Sequence, residues 1–486
     1  MILFLNARAT KPKNRRFPLS ILAIAAMIEG REEYSIVDGN FDPAPTKSLD
    51  QIMQRTPARL LAATVMPGPQ MAATIPVCRA FREKYPDVPI VWGGYFPSLY
   101  PDATLNTAYV DYAVRGQGED TFLELLAALE GRGNLHEIRG LSFKENGRIV
   151  HNPERPMRSP NDFPWMPYHR LDIERYILPT FLGSRTVVHH ASIGCPFKCN
   201  FCGVVPVHGS RQKMEAPERT AAILRSLQER YAINAVQFYD NNFFLREDHA
   251  AELADRLTPL QLRWWSEGRV DTVLSYSDRT LQKLRDAGSA MIFFGAESAS
   301  DELLRQMQKQ LKAEQTLELA ARIRRFGIIP EFSFVVGNPG DPADDVRQCI
   351  AFIRKIKRLN PDAEIILQHY IPTPQREGMY GGIDSIFQFP TTPEEWATER
   401  WLNFTIRTDP RLAWLPDPIK QRVDNFELVV NSRWPTVQDI RLPAWGRALL
   451  RTLSSWRYKF ELYDHPVELE WCQKLVNLRK PRMESL

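Results

Sequence analysis

Three cysteines, Cys195, Cys199 and Cys202, fall within eight residues in the run Gly194-Cys195-Pro196-Phe197-Lys198-Cys199-Asn200-Phe201-Cys202-Gly203. Thiolates are soft ligands that suit zinc or iron–sulfur clusters. A closed structural zinc site wants four ligands, usually as two separated pairs. Three cysteines on one tight loop lack the fourth, and His208 is the residue that would complete such a site. A four-iron cluster on three protein thiolates leaves one iron open to a small molecule. The plainest alternative is three buried cysteines after a strand. Cys78, Cys349 and Cys472 are scattered. A secreted disulfide framework would be denser and paired, so the trio reads as a metal site in a reducing compartment.

The elements around this loop repeat a strand–helix pattern. Thr186–His190 reads as a strand leading into the cysteines, and Ala216–Tyr231 as a helix. Strands follow at Ala235–Tyr239, Leu262–Ser266, Ala290–Gly295, Glu331–Val336 and Ile365–Ile371, with helices between them, among them Asp278–Ala287 and Ala313–Phe326. Six such units predict a partial (β/α)6 barrel. Residues 1 to about 135 alternate in the same way, with strands at Met1–Leu5, Tyr34–Val37, Leu60–Val65, Ile90–Trp92 and Val110–Val114. This predicts a Rossmann-like parallel sheet covered on both faces, with ligands beyond the strand carboxyl ends. The fold class is α/β. The expected borders are 1–150 for the first unit, 151–180 for a proline-rich linker, 181–384 for the barrel and 385–486 for a helical, tryptophan-rich cap.

The spacing CxxxCxxC, with Phe201 before the last cysteine, resembles the radical S-adenosylmethionine (SAM) superfamily. The resemblance implies a 4Fe-4S cluster whose open iron binds SAM through its amino and carboxylate groups. The reduced cluster then splits a carbon–sulfur bond to give a 5′-deoxyadenosyl radical. It also implies an electron donor such as flavodoxin or ferredoxin. Asp240-Asn241-Asn242 ends the second barrel strand, where relatives hold the ammonium group, although the usual Gly-Gly-Glu is not present. A helix-capping turn is the other reading of that segment. Glu267 and Arg269 follow the third strand and Glu297 the fourth. They would bind the SAM carboxylate, the ribose or a second cofactor, or else be solvated loop charges. Gly337, after the fifth strand, would allow backbone to approach adenine.

The first unit narrows the resemblance. Asp38-Gly39-Asn40, Trp92-Gly93-Gly94 and Val114-Arg115-Gly116-Gln117-Gly118-Glu119, followed by a radical domain, resemble cobalamin-binding radical SAM proteins over roughly residues 1–380. Their glycines would let backbone lie against the corrin and its nucleotide tail. Many cobalamin domains supply a histidine to cobalt. Here the nine histidines begin at His136, so cobalt would be five-coordinate or take a ligand such as water. A domain that kept the fold and lost the cofactor is the other reading.

The resemblance favours a methyltransferase that moves a methyl group from methylcobalamin to an unactivated carbon of a small molecule. A cyclase or rearrangement enzyme with the same cofactors, such as a porphyrin-ring cyclase, is the second reading. A methylthiotransferase would carry another cysteine trio in the first unit, and only Cys78 is there. A corrinoid or redox sensor would need an output module or a nucleic-acid-binding element, and no basic recognition helix is evident. The net charge of +4 over 486 residues does not argue for nucleic acid.

Leu19 to Ile28 is the longest apolar stretch, too short to span a bilayer, and a cytoplasmic protein is expected. Seven tryptophans from Trp396 to Trp471 would pack a core or line a pocket. From Arg441 onward there are nine Lys or Arg against five Asp or Glu. Leu442, Trp445, Leu449, Leu450 and Trp456 interleave there with Arg447, Arg451 and Arg457, as in an ordinary amphipathic helix or one in weak contact with a membrane surface. Gln375 and Arg376 are expected to face substrate.

Overall fold

The computed structural model describes residues 1–10, 15–373, 387–407 and 410–476. Gln375 and Arg376 lie outside them.

The first unit is built from β1 (Ile2–Asn6), α1 (Leu19–Ile28), β2 (Tyr34–Asp38), α2 (Pro45–Arg55), β3 (Leu60–Thr64), α3 (Pro69–Lys84), β4 (Ile90–Gly93), α4 (Tyr95–Leu99), α5 (Pro101–Leu105), β5 (Tyr112–Val114) and α6 (Glu119–Leu129). Strands β1 to β5 pair in parallel, in the order β2-β1-β3-β4-β5. Their apolar runs are buried from both sides. Leu3, Leu5, Leu61 and Trp92 pack on one face, and Ile2, Phe4, Leu60 and Val91 on the other. The edge differs from a wholly parallel sheet. Strands β6 (Leu141–Glu145) and β7 (Arg148–His151) add antiparallel to β5. They join through Asn146-Gly147, both at positive φ, the backbone that a two-residue hairpin turn demands.

A second sheet holds β8 (Thr186–His189). Beside it stands a two-stranded clip, β9 (Ser192–Gly194) and β10 (Gln212–Met214), with α7 (Val204–His208) between its strands. Then follow α8 (Pro217–Tyr231), β11 (Ala235–Phe238), α9 (Glu247–Leu257), β12 (Arg263–Gly268), α10 (Val270–Leu274), α11 (Asp278–Asp286), β13 (Ser289–Glu297), α12 (Asp301–Gln306), α13 (Ala313–Ile323), β14 (Ile329–Val336), α14 (Pro342–Leu359) and β15 (Glu364–His369). The six strands run parallel in chain order, β8 at one edge and β15 at the other, which is the (β/α)6 arrangement.

Alternation along these strands separates two environments. Val187, Val236, Phe238, Trp264, Ile292, Phe294, Phe332, Phe334, Ile365 and Leu367 face the helices and form the main core. The intervening Val188, Gln237, Tyr239, Glu267, Phe293, Ile366 and Gln368 stay partly exposed, so the inner face borders a chamber and not a filled core.

The C-terminal region is helical: α15 (Pro393–Trp396), α16 (Glu399–Thr405), α17 (Asp417–Arg433), α18 (Ala444–Phe460) and α19 (Val467–Val476). Its tryptophans do not share one fate. Trp396 is buried against Phe96 and Tyr100 of the first unit. Trp401, Trp414 and Trp434 are half-buried, while Trp445, Trp456 and Trp471 stand exposed. The expectation of core packing therefore fails for the last group.

Candidate active site

The cysteine loop springs from the β9–β10 clip, beyond the carboxyl end of β8. Gly194 has φ +80 and lies so close to the Arg211 carbonyl that a side chain there would collide with it. The far side of the loop rests on the end of α12. The Asn200 side chain donates to the Gln306 carbonyl at 2.8 Å, and its backbone N–H to the Met307 carbonyl. Phe201 packs on Met307, Val335 and Tyr370. Cys199 is buried and Cys195 and Cys202 half-buried. Burial raises the Cys195 thiol, and pushes Cys202 up to about 11, with the neighbouring thiols adding to both shifts. Three thiols this close do not ionise readily without compensating positive charge.

That charge comes from two buried cations. Arg269, at the end of β12, reaches Cys199 Sγ with Nη1 at 3.6 Å and lies 3.7 Å over the Phe197 ring. Its fork grips Asp271 at 3.0 and 2.8 Å, and it also donates to the Lys309 carbonyl. Lys309 donates to Glu297 Oε1 at 2.7 Å. Glu297 holds its place through a register shift late in β13, where its φ is +62. A third cation, Arg407 beyond α16, has Tyr95, Glu297, Cys202 and Tyr370 for electrostatic neighbours and donates to Gln368 Oε1 at 2.6 Å. Lys309 and Arg407 were not found in the sequence, since no local spacing ties them to the cysteines.

Among the described residues no three His, Cys, Asp or Glu side chains converge tightly enough for one metal ion. His208 lines the cleft between the two units. A thiol trio beside the buried cations Arg269 and Lys309 suits an anionic group such as a cluster.

Asp240 is buried below the loop. Ala191 N–H donates to Oδ2 at 3.2 Å, while Oδ1 has no partner. Burial pushes its carboxyl up to about 6. Asn241 is exposed. Glu267 faces the chamber near Asp240, Glu331 and Arg16, and burial followed by the two other carboxylates lifts it to about 8. Among the described residues its carboxylate has no hydrogen-bonding partner. Tyr239, Trp265 and Phe293 line the same wall. Near the amino-terminal ends of β14 and β15, Gln438 Nε2 donates to Glu331 Oε1 at 2.6 Å and Glu364 Oε2 at 3.0 Å. Gly337 has φ +75 and lies against the Leu415 side chain of the C-terminal region.

Between the two units runs a cleft of about 290 Å³, partly open to solvent. Gly93, Gly94, Gly116, Gly118 and Glu119 line one wall, at the carboxyl ends of β4 and β5. Ser20 and Thr64 share a 2.9 Å hydrogen bond on that wall. His189, His208 and Glu215 line the opposite wall. Gly94, at φ +98, leaves only tight space for a side chain beside Thr64 and Val65. Burial pushes Glu119 up to about 7. Asp38, Gly39 and Asn40 lie outside this cleft, a departure from expectation. Asp38 accepts from the Tyr176 hydroxyl, Asn40 donates to the same oxygen at 2.9 Å, and Gly39 packs on the backbone of residues 6–8. They tie the first unit to the linker. Arg115 also turns away, toward the carbonyls of Leu141 and Asn152.

The two sites touch. A side chain at Gly203, next to Cys202, would run into the Tyr95 hydroxyl, and Gly116 lies beside the Val207 carbonyl of α7. Residues 6–126 match the B12 binding domain, and residues 191–353 match the Radical SAM superfamily. The chain joins a B12-binding domain to a radical SAM domain. It is a radical SAM enzyme, and these domains imply a 4Fe-4S cluster, SAM and cobalamin as its cofactors. The radical SAM chain is 27% identical to an uncharacterized methyltransferase of Pyrococcus horikoshii over 343 residues, 70% of this chain and 73% of that one. It is 26% identical over 383 residues to the anaerobic magnesium-protoporphyrin IX monomethyl ester cyclase of Synechocystis sp., covering 77% and 74%. The structure of the radical SAM methyltransferase TsrM from Kitasatospora setae, with cobalamin and a [4Fe-4S] cluster bound, superposes with a TM-score of 0.67 at 16% identity, over 98% of both chains. The fold is therefore shared from end to end. No helix among the described residues is long and apolar enough to cross a membrane.

Proposed function

We propose that this radical SAM enzyme is a cobalamin-dependent methyltransferase acting on an unactivated carbon of a small molecule. The observation that carries the reading is the contact of Tyr95 and Gly116 with the loop and helix that follow Cys202. It sets the cobalamin-type cleft and the cysteine loop against one another, as a methyl donor and a radical source acting on one carbon require. When bound, the cluster and cobalamin supply reductive cleavage of SAM and a transferable methyl group.

The protein's part is binding, orientation and exclusion of water. Cys195, Cys199 and Cys202 would hold the cluster, with Arg269 and Lys309 offsetting its negative charge. Asp240, with a free buried oxygen, suits the SAM ammonium. Gly93, Gly94, Gly116, Gly118 and Glu119 would border cobalamin. Glu267 faces the substrate chamber, where an unpaired carboxyl among aromatic rings favours a substrate with a positive or hydrogen-donating group. Electrons would come from a flavodoxin or ferredoxin.

The test is anaerobic reconstitution with iron, sulfide and hydroxocobalamin, then gel filtration and incubation with SAM and candidate substrates. Near one cobalamin per chain, with S-adenosylhomocysteine and 5′-deoxyadenosine formed in step and a product heavier by one methylene unit, supports methyl transfer. Full cluster with no retained cobalamin refutes it. The similarity to a cyclase favours a second reading, in which the product loses hydrogen or gains oxygen and no S-adenosylhomocysteine forms.

A further inference from the structure

Helix α18 packs Leu450, Leu453 and Tyr458 inward but exposes a second apolar face. An ordinary amphipathic helix hides its apolar stripe and exposes its charges. Here Arg457 is buried, donating to the carbonyls of Leu462, Asp464 and His465 at 2.9–3.1 Å and paired with Glu468. Arg447 also turns inward, donating to the Thr436 carbonyl at 2.9 Å. Trp445, Leu449, Trp456 and Phe460 face solvent instead, with Trp445 64% and Phe460 63% exposed. Their spacing of four, seven and four residues keeps them on one line about 22 Å long. The packed neighbour α19 also exposes Val467, Trp471 and Leu475, the last two 67% and 75% exposed. Ten of the fourteen large apolar residues exposed among the described residues lie between Val437 and Leu475, so the patch is local and not a general property of the surface.

Charge says what covers it. Helix α18 contains four basic residues and no acid, and Arg441 precedes it. Arg441 and Lys459 are exposed, Lys459 on the flank of the stripe, while the exposed Arg451 lies on the other side of the helix. The exposed acids nearby, Glu461, Asp464 and Glu470, all follow its C-terminus. A second copy of this face would bring two cationic helices together. An anionic bilayer surface complements both the bases and the tryptophans, which favour the headgroup level. We propose that the α18–α19 face docks the enzyme on an anionic phospholipid surface, lying on it and not spanning it. The docking face is distinct from the cysteine loop. The segment leading into α18 reaches the second sheet through Gln438 at Glu364, the first residue of β15, whereas the cysteines lie beyond the carboxyl end of β8.

The experiment is co-sedimentation of the full-length, cluster-reconstituted protein with vesicles. One set is phosphatidylcholine alone, and the other equal parts phosphatidylcholine and phosphatidylglycerol. Pelleting with the second set only, weakened by added salt, is expected. Lys459→Gln should weaken binding about fivefold, and Arg451→Gln, on the other side of the helix, much less. The double variant Trp445→Glu, Trp471→Glu should abolish it, with circular dichroism and cluster absorbance unchanged. Trp445→Gln, a milder change at an exposed site, should weaken binding in the same direction. Protein that stays in the supernatant with both vesicle sets overturns the proposal. So does equal binding to neutral vesicles, or a dimer in sedimentation equilibrium that the tryptophan variants dissociate.

Discussion

Arg269 brings its guanidinium within 3.6 Å of Cys199 Sγ and is almost wholly buried, so its charge acts on whatever the thiols hold. Reduction adds one electron spread over a cluster beyond the sulfur, at a separation of about 7 Å for an order-of-magnitude estimate. With an effective dielectric constant near 20, removing one positive charge there costs the reduced state about 2 kcal/mol, on the order of 100 mV for a one-electron couple. Arg269→Gln should therefore move the cluster midpoint potential negative by that order, with iron and sulfide content at the wild-type level. Arg269→Lys, which keeps the charge but loses the fork on Asp271, should shift it far less. Adding Asp271→Asn to Arg269→Gln removes an opposing negative charge and should recover part of the loss. The assay is a redox titration followed by electron paramagnetic resonance. A shift below about 20 mV, a positive shift, or equal shifts for Gln and Lys would refute the electrostatic reasoning.

Three further outcomes follow from the geometry. Gly94→Val forces a side chain onto φ +98, ψ −157, against the Thr64 hydroxyl and Val65 backbone, and should cost about 1–3 kcal/mol in denaturant unfolding while lowering cobalamin retention on gel filtration. Trp396→Ala empties the aromatic contact between α15 and Phe96 and should destabilise by about 3–5 kcal/mol, with exposure of α15 to protease as the direct readout. Glu267 sits at about 8 in the folded chain against 4.5 when free. The unfolded chain thus ionises first as pH rises, so stability should fall between about pH 4.5 and 8 and level off above. Glu267→Gln should flatten that part of the melting-temperature profile, and an unchanged slope would show that the carboxyl is not held protonated.

The sequence displayed what local spacing encodes. A cluster site needs three thiols on one loop, and CxxxCxxC presents them without help from the rest of the chain. The strand–helix alternation was equally legible, because each unit must bury its own apolar run. Asn146-Gly147 is a hairpin signal hidden by the parallel pattern before it. Helix α2 is a weaker signal, because its apolar stripe is short, with only Leu49 and Met53 buried. Lys309, Arg407 and Tyr95 were not legible at all, since each reaches the cysteines through tertiary packing from a different part of the chain. Asp38-Gly39-Asn40 resembled a ligand loop by composition, but the Tyr176 hydroxyl claims it in the fold.

The Gln438 bridge has a consequence for how distant parts of the chain sense one another. Because one amide holds both Glu331 and Glu364, the C-terminal region is fastened to two paired strands, β14 and β15, near their amino-terminal ends. Glu331 is also one of the carboxylates that lift Glu267. A change that unseats the segment before α18 would therefore free Glu331 and alter the charge that Glu267 feels, so the protonation of the inner face is coupled to the seating of the C-terminal helices.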